Sequence, residues 1–201
     1  MKKILFILVL MTFGCVEKTE KIGSSYVENS VERVSYKEFL NQIKSKTEAE
    51  KRKYFFRYIN YDMPEYWQGT PWSFGGTTRN PQSVTISCGY FVTNILSDFG
   101  IKIERVYLAQ QPSSVMIIKL CTEIKYFSKR EDLENYILSK PQNTVYIVGL
   151  DFHTGFITRE NRDTYFIHSN YIQNKGVVKE KTDSSKALNA SKTYMIGTLK
   201  Y

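Results

Sequence analysis

Nucleophilic chemistry at neutral pH needs a thiol or hydroxyl and a base to deprotonate it, and this 201-residue chain holds few candidates: three cysteines and two histidines. Cys88 stands in Ile86-Ser-Cys88-Gly-Tyr-Phe-Val92, and the histidines in Leu150-Asp-Phe-His153-Thr-Gly-Phe-Ile157 and Tyr165-Phe-Ile-His168-Ser-Asn-Tyr171. Imidazole titrates close to neutrality, so it is the side chain suited to taking a thiol's proton. A cysteine at a helix start, followed in the chain by two strand-borne histidines, supplies a nucleophile, a general base and a group to orient that base. Unpaired N–H groups at a helix start, and a neighbouring imidazolium, are expected to lower the pKa of Cys88.

These side chains must be placed by helices followed by strands. The globular part is predicted to begin near Ser35, where Ser35-Tyr-Lys-Glu38 has the capping-box pattern; Phe39, Ile43 and the run to Phe55 predict helices. A Gly-, Pro- and aromatic-rich loop is predicted over residues 61–78. A helix over 88–99 follows, with Phe91, Val92, Ile95, Leu96 and Phe99 on one face and Gly100 at its end. Ser113 or Ser114 is expected to cap a short helix, and 130–138 forms another. The period then changes to that of strands over 144–150, 153–159, 164–169, 177–180 and 194–199. Helices first and an antiparallel sheet afterwards predict an α+β fold. His153 and Phe156 have opposite parity, as do Phe166 and Ile167, so one strand face can offer a histidine while the other packs. Asn170 shares the parity of His168 and is an alternative orienting residue.

Charge and composition narrow the function classes. Lys+Arg number 28 and Asp+Glu 20, giving +8, with 42% hydrophobic and 14% aromatic residues. The lysines are scattered rather than clustered with exposed aromatics, so no nucleic-acid partner is expected. A basic surface tolerant of anionic envelope polymers is the simpler account. Residues 1–15 have the form of an export signal: Lys2 and Lys3, then an apolar run from Ile4 to Phe13, then Gly14-Cys15. The run is shorter than the roughly 20 residues that span a bilayer. It resembles a bacterial lipoprotein signal, which implies lipidation of Cys15 and anchoring to a membrane; ordinary secretion into the periplasm or beyond is the alternative. Residues 16–34 begin as a polar stretch without periodicity and are expected to be a tether, leaving 35–201 as one domain, expected to be a monomer. In an oxidising compartment a Cys88–Cys121 disulfide is the structural alternative to a free thiol. Cys121 otherwise reads as a small apolar filler.

Gly69-Thr-Pro-Trp-Ser-Phe-Gly-Gly-Thr-Thr78 followed by Cys88-Gly-Tyr-Phe-Val92 resembles the NlpC-type cell-wall cysteine peptidases. These carry an aromatic–Gly-Gly segment before an Asp-Cys-Ser-Gly-Phe-Val-like helix start. Phe152-His-Thr-Gly-Phe-Ile157 is similar to the family's His-Val-Gly-Ile-Tyr strand, and Phe166-Ile-His-Ser169 to its later Ile-His-Ala strand. The resemblance implies a papain-like core, with the nucleophile-bearing helix packed on the sheet. It implies Cys88 as nucleophile, His153 as general base and His168 as orienting group, without a cofactor or metal. Trp72, Gly75, Gly76, Ser87 and Gly89 then fall where substrate is bound. The sequence departs from the family at Ser87, where Asp usually helps receive a substrate amine, at Gly89 in place of Ser, and at Trp72 in place of Tyr. The stretch between Cys88 and His153 is long, and an insertion around 109–114 is expected to shape the cleft.

The expected function is therefore an exported cysteine hydrolase cleaving an amide bond, with peptidoglycan stem peptides the substrate class the resemblance implies. Two other classes remain open: a non-catalytic envelope-binding module on the same scaffold, and a zinc-dependent amidase holding its ion with Cys88, His153 and His168.

Overall fold

The computed structural model describes residues 33–201. The predicted signal segment 1–15, with Cys15, and residues 16–32 of the predicted tether lie outside the described residues.

The helical half begins with α1 (Tyr36–Lys44), where the Ser35 hydroxyl accepts from the Glu38 N–H at 3.3 Å and Phe39 and Ile43 turn inward. Helix α2 (Glu48–Arg57) carries a complete capping box: Thr47 caps the Glu50 N–H while the Glu50 carboxylate accepts from the Thr47 N–H at 2.8 Å. The chain continues through a widened π-type turn (Tyr58–Asp62) into α3 (Met63–Trp67). This corrects the expected loop, which starts only after Trp67. Pro64 lies just past the widened turn, and Tyr58, Ile59, Met63 and Trp67 are all buried. Asn60, inside the widened turn, accepts from Thr158 Oγ1 at 2.6 Å, which ties the helices to the sheet.

Helix α4 (Cys88–Phe99) has its predicted bounds and ends at Gly100. It is followed by α5 (Arg105–Ala109), α6 (Ser113–Leu120), β1 (Cys121–Phe127) and α7 (Arg130–Leu138). No serine caps α6; Pro112 precedes it and Ser113 is already helical. Strand β1 is absent from the predicted elements. The remaining strands are β2 (Val145–Gly149), β3 (Thr154–Glu160), β4 (Asp163–Asn170), β5 (Gly176–Lys181) and β6 (Tyr194–Leu199), with α8 (Lys186–Asn189) before the last.

The strands form one six-stranded sheet in the order β1-β6-β2-β3-β4-β5, every neighbouring pair antiparallel. With the helices this makes an α+β fold. Because strand side chains alternate, each strand feeds two cores. Ile147, Phe156, Ile167 and Val177 meet Phe91, Ile95 and Phe99 on the α4 side. Tyr146, Val148, Ile157, Phe166 and Ile196 meet Leu133 and Ile137 of α7 and Leu188 of α8 on the other. Among the described residues no helix is long and apolar enough to cross a membrane.

Phe91 is fully buried, edge-on to Trp67 and to Phe156 of β3, so it fastens the Cys88 helix to the sheet. Phe91→Ala is expected to cost about 3–5 kcal/mol of unfolding free energy, the usual range for emptying an aromatic core site, read from urea unfolding midpoints.

Candidate active site

Three bonds to the two residues before it, Ile86 and Ser87, place Cys88. Ile86 N–H donates to Pro71 O at 2.9 Å, the Ile86 carbonyl accepts from Ser169 Oγ on β4 at 2.8 Å, and Ser87 N–H donates to Gly76 O at 2.9 Å. The segment 71–87 is thereby held against β4, and α4 must begin where it does. Ser87 is the residue before the helix, extended (φ −86°, ψ 163°), and its hydroxyl caps nothing. The first N–H groups of α4 have no side-chain cap, and those of Cys88 and Gly89, with the N–H of Thr154, act on the thiol to favour its ionised form. Thr154 opens β3 and directly follows His153, so the backbone beside the thiol is that of the residue after the first histidine.

From His153 a row of polar side chains runs across the sheet. His153 Nε2 lies 2.7 Å from His168 Nδ1 on β4, and His168 Nε2 lies 3.2 Å from Glu180 Oε1 on β5. Lys175 Nζ stands 3.7 Å from Glu180 Oε2. The register builds this row: His168 pairs with Val178 and Phe166 with Glu180, so Glu180 is a diagonal neighbour of His168 on the same face. That face is the α7 side, since Ile167 and Ser169, with the opposite parity, turn toward α4. Phe166 stacks on the His168 ring at 3.9 Å and 13°. Gly155 makes the space. A Cβ there would stand 2.7 Å from His168 Cβ and 2.6 Å from Phe166 Cε2, so no other residue leaves room for the imidazole.

Burial governs the electrostatics. Desolvation pushes the Cys88 thiol above its ordinary value, and the N–H groups of Thr154, Gly89 and Cys88 only partly oppose it. This corrects the expectation of a depressed thiol pKa: the helix start acts in the expected direction, but burial outweighs it. Desolvation also holds His153 well below its usual 6.5, with His168 adding to the effect, and lowers His168 against the opposing pull of Glu180. The pair therefore rests as neutral thiol and neutral imidazole. Glu180 is raised by burial but brought down on balance by hydrogen bonds from His168 and Ser185 and by the charge of Lys175.

The other predicted residues divide. Tyr171 packs against His153 (5.1 Å between centroids) and against Trp72 (6.0 Å), which brings Trp72 to the site with its indole N–H buried and unpartnered. Asn170 is not in the row; its Oδ1 accepts from the Ile172 N–H at 2.8 Å. Gly89 is set against the Ala109 carbonyl, which leaves no room for a Cβ and accounts for glycine after the cysteine. Gly76 is closed over by the Ile86 backbone, 2.5 Å from where its Cβ would be, so it packs rather than binds; Gly75 is exposed with nothing near it. Cys88 and Cys121 are both free, so the disulfide alternative is not formed. Cys121 is buried, with its thiol pushed up to about 12 by burial. Among the described residues no group of three or more His, Cys, Asp or Glu is disposed to hold a metal ion, and the facing nitrogens of His153 and His168 are engaged with each other.

A cavity of about 1120 Å³ reaches His153 and Tyr171, between the start of α6, the 150–153 turn and the 190–195 segment. Its wall includes Ser113, Phe152, Lys192 and Met195, but not Cys88. Phe152, beside His153, is 96% exposed. Of the residues expected to shape the cleft, Ala109 lies against Gly89 of α4, and Pro112, Ser113 and Ser114 line this cavity. Sequence reasoning missed Glu180 and Tyr171. No local signal marks Glu180, whose place beside His168 is set by the pairing of β4 with β5.

No protein-family model matches this sequence, and no curated protein matches it.

Two outcomes follow from the titration directions. Iodoacetamide should alkylate Cys88 with an apparent pKa above the free-thiol value of about 8.5, and should leave native Cys121 unmodified, as read by peptide mass spectrometry. Stability should also fall with pH in the histidine range. The unfolded chain takes up protons as pH drops through about 6.5 while the folded rings stay neutral, so stability present above 6.5 is lost toward the depressed folded values. Urea midpoints should decline between roughly pH 6.5 and 5, above the usual carboxylate range, and His168→Asn should flatten that decline.

Proposed function

We propose that this chain is an exported cysteine hydrolase with a papain-like core that cleaves an amide bond, and that its substrates are peptidoglycan stem peptides or related envelope amides. The observation that carries the reading is the thiol of Cys88 at a helix start, with the N–H of Thr154, the residue after His153, favouring its ionised form, and with His153 Nε2 2.7 Å from His168 Nδ1. The order Cys88, His153, His168 and the glycine two residues after His153 support the NlpC-type resemblance. The form of residues 1–15 supports export and a lipid anchor at Cys15.

In this mechanism a bound amide carbonyl stands beside Cys88. The ring nitrogen of His153 not engaged by His168, Nδ1, takes the thiol proton as sulfur attacks the carbonyl carbon. Because thiol and imidazole rest neutral, proton transfer accompanies attack rather than preceding it. Backbone N–H groups at Cys88 and Gly89 stabilise the developing oxyanion. The C–N bond then breaks and the imidazolium returns its proton to the leaving amine, giving a thioester on Cys88. Water, deprotonated by His153, hydrolyses the thioester and frees the carboxylate. With Ser87 in place of an acidic residue, recognition of a free N-terminal amine forms no part of the reading.

Purified peptidoglycan incubated with the protein should release new amino groups, quantified by amine labelling and mapped by mass spectrometry of the muropeptides. Cys88→Ala and His153→Ala should each lower the rate about 10³-fold or more, whereas Cys121→Ser should stay within a few-fold of the parent. Full cleavage by Cys88→Ala would exclude a thiol nucleophile. Unchanged binding to peptidoglycan by that variant, with no cleavage by either protein, would favour the binding module. Loss of cleavage on chelation with Cys88 chemically unmodified would favour the zinc amidase.

A further inference from the structure

We propose that Glu180 is a positioning residue which, through hydrogen bonds across three strands, dictates the tautomers of both histidines and so leaves Nδ1 of His153 free of a proton. The kinetic part of this proposal rests on the hydrolase reading; the tautomer part does not.

The argument is one of donors and acceptors. An ionised carboxylate only accepts. Glu180 is ion-paired with the Lys175 ammonium at 3.7 Å on one side, and the Ser185 hydroxyl, whose own oxygen already receives the Leu188 N–H at 3.3 Å, favours its ionised form on another. Its third neighbour, His168 Nε2, lies 3.2 Å away and must therefore carry the hydrogen. A neutral imidazole has only one N–H, so His168 Nδ1 is left as an acceptor. Across the 2.7 Å contact, His153 Nε2 must then be the donor, and the single hydrogen of that ring is spent. His153 Nδ1 keeps a lone pair. The directions add to one polarity: the carboxylate on β5 orders the hydrogen on β4, which orders the hydrogen at the start of β3.

Among the described residues the hydrogen bonds of the two rings run to each other and to Glu180. Their flanks are aromatic: Phe166 stacks on His168 and stands edge-on to His153, and Tyr171 stands against His153. Without an acceptor at Glu180 the two histidines could share their hydrogens in either direction, and half of those arrangements place a proton on His153 Nδ1. Glu180 is well placed to hold its direction, because its side chain is only 16% exposed and Lys175 and Ser185 favour its ionised form.

The presence of only two histidines makes the test direct. Long-range ¹H–¹⁵N correlation spectra of the uniformly ¹⁵N-labelled full chain at pH 7 contain two imidazoles and distinguish Nδ1–H from Nε2–H by nitrogen shift. The wild type should show both rings neutral and protonated at Nε2. In Glu180→Gln, whose amide can donate as well as accept, the His168 and His153 signals should move toward a mixture of tautomers, and Glu180→Asp should restore the wild-type pattern at least in part. Under the hydrolase reading kcat should fall about 10- to 100-fold in Glu180→Gln with KM changed little, the usual scale for removing a group that orients a reacting one. A wild-type spectrum with either ring protonated at Nδ1 overturns the proposal, and this holds even if the glutamine variant fails to fold. A folded Glu180→Gln with unchanged tautomers also overturns it. The expected tautomers in a protein that cuts no peptidoglycan would sink the hydrolase reading and leave the Glu180 assignment standing.

Discussion

An imidazole ring buried within an antiparallel sheet has two nitrogens that must each find a partner, and two such rings in adjacent strands multiply the demand. His153 and His168 meet part of it by bonding each other, and Glu180 takes the nitrogen of His168 on the far side. Much of the local structure follows from accommodating that row. Gly155 is empty where the His168 ring lies, Phe166 covers the ring's face, and the β4–β5 register sets Glu180 on the diagonal. A slip of one residue in that register would send Glu180 to the opposite face and leave His168 buried beside nothing that accepts.

The thiol is placed from the other side of the sheet by a different device. Ile86 is bonded to Pro71 on one side and to Ser169 of β4 on the other, so the chain enters α4 at a fixed point near the start of β3. Phe91 then locks the helix down on Phe156. The same enclosure makes the thiol harder to ionise and His153 harder to protonate. A resting neutral pair suits a site in which charge is created only when a substrate carbonyl arrives to share it.

The elements nearest the chemistry were the most legible in the sequence. Helix α4 and strand β6 have their predicted bounds, and β2 to β5 differ by a residue or so at their ends, because alternation and a 3.6-residue period are strong where two cores are filled. Strand β1 gave no such signal. It is an edge strand whose one fully buried residue is Cys121, and its pairing shifts between Thr122 and Lys125. Helix α3 was hidden by Pro64 and by aromatics that elsewhere in the same stretch belong to loops. In the site, the cysteine and both histidines were visible from type and order. The choice between His168 and Asn170 was not, since parity is shared and only a local turn takes Asn170 away. Glu180 was invisible for a stronger reason: its role depends on a non-local register. The sign of the Cys88 shift was misjudged because burial, unlike a helix start, leaves no local pattern.

The central claim is that Cys88 forms a covalent bond with the carbonyl carbon of its substrate. The most direct measurement is an acid quench during turnover of purified muropeptides by the full chain, followed by peptide mass spectrometry. The account predicts a thioester on the Cys88 peptide with the mass of the acyl fragment, removed by hydroxylamine. Turnover with Cys88 unmodified throughout, or an acyl group found on another residue, would contradict it.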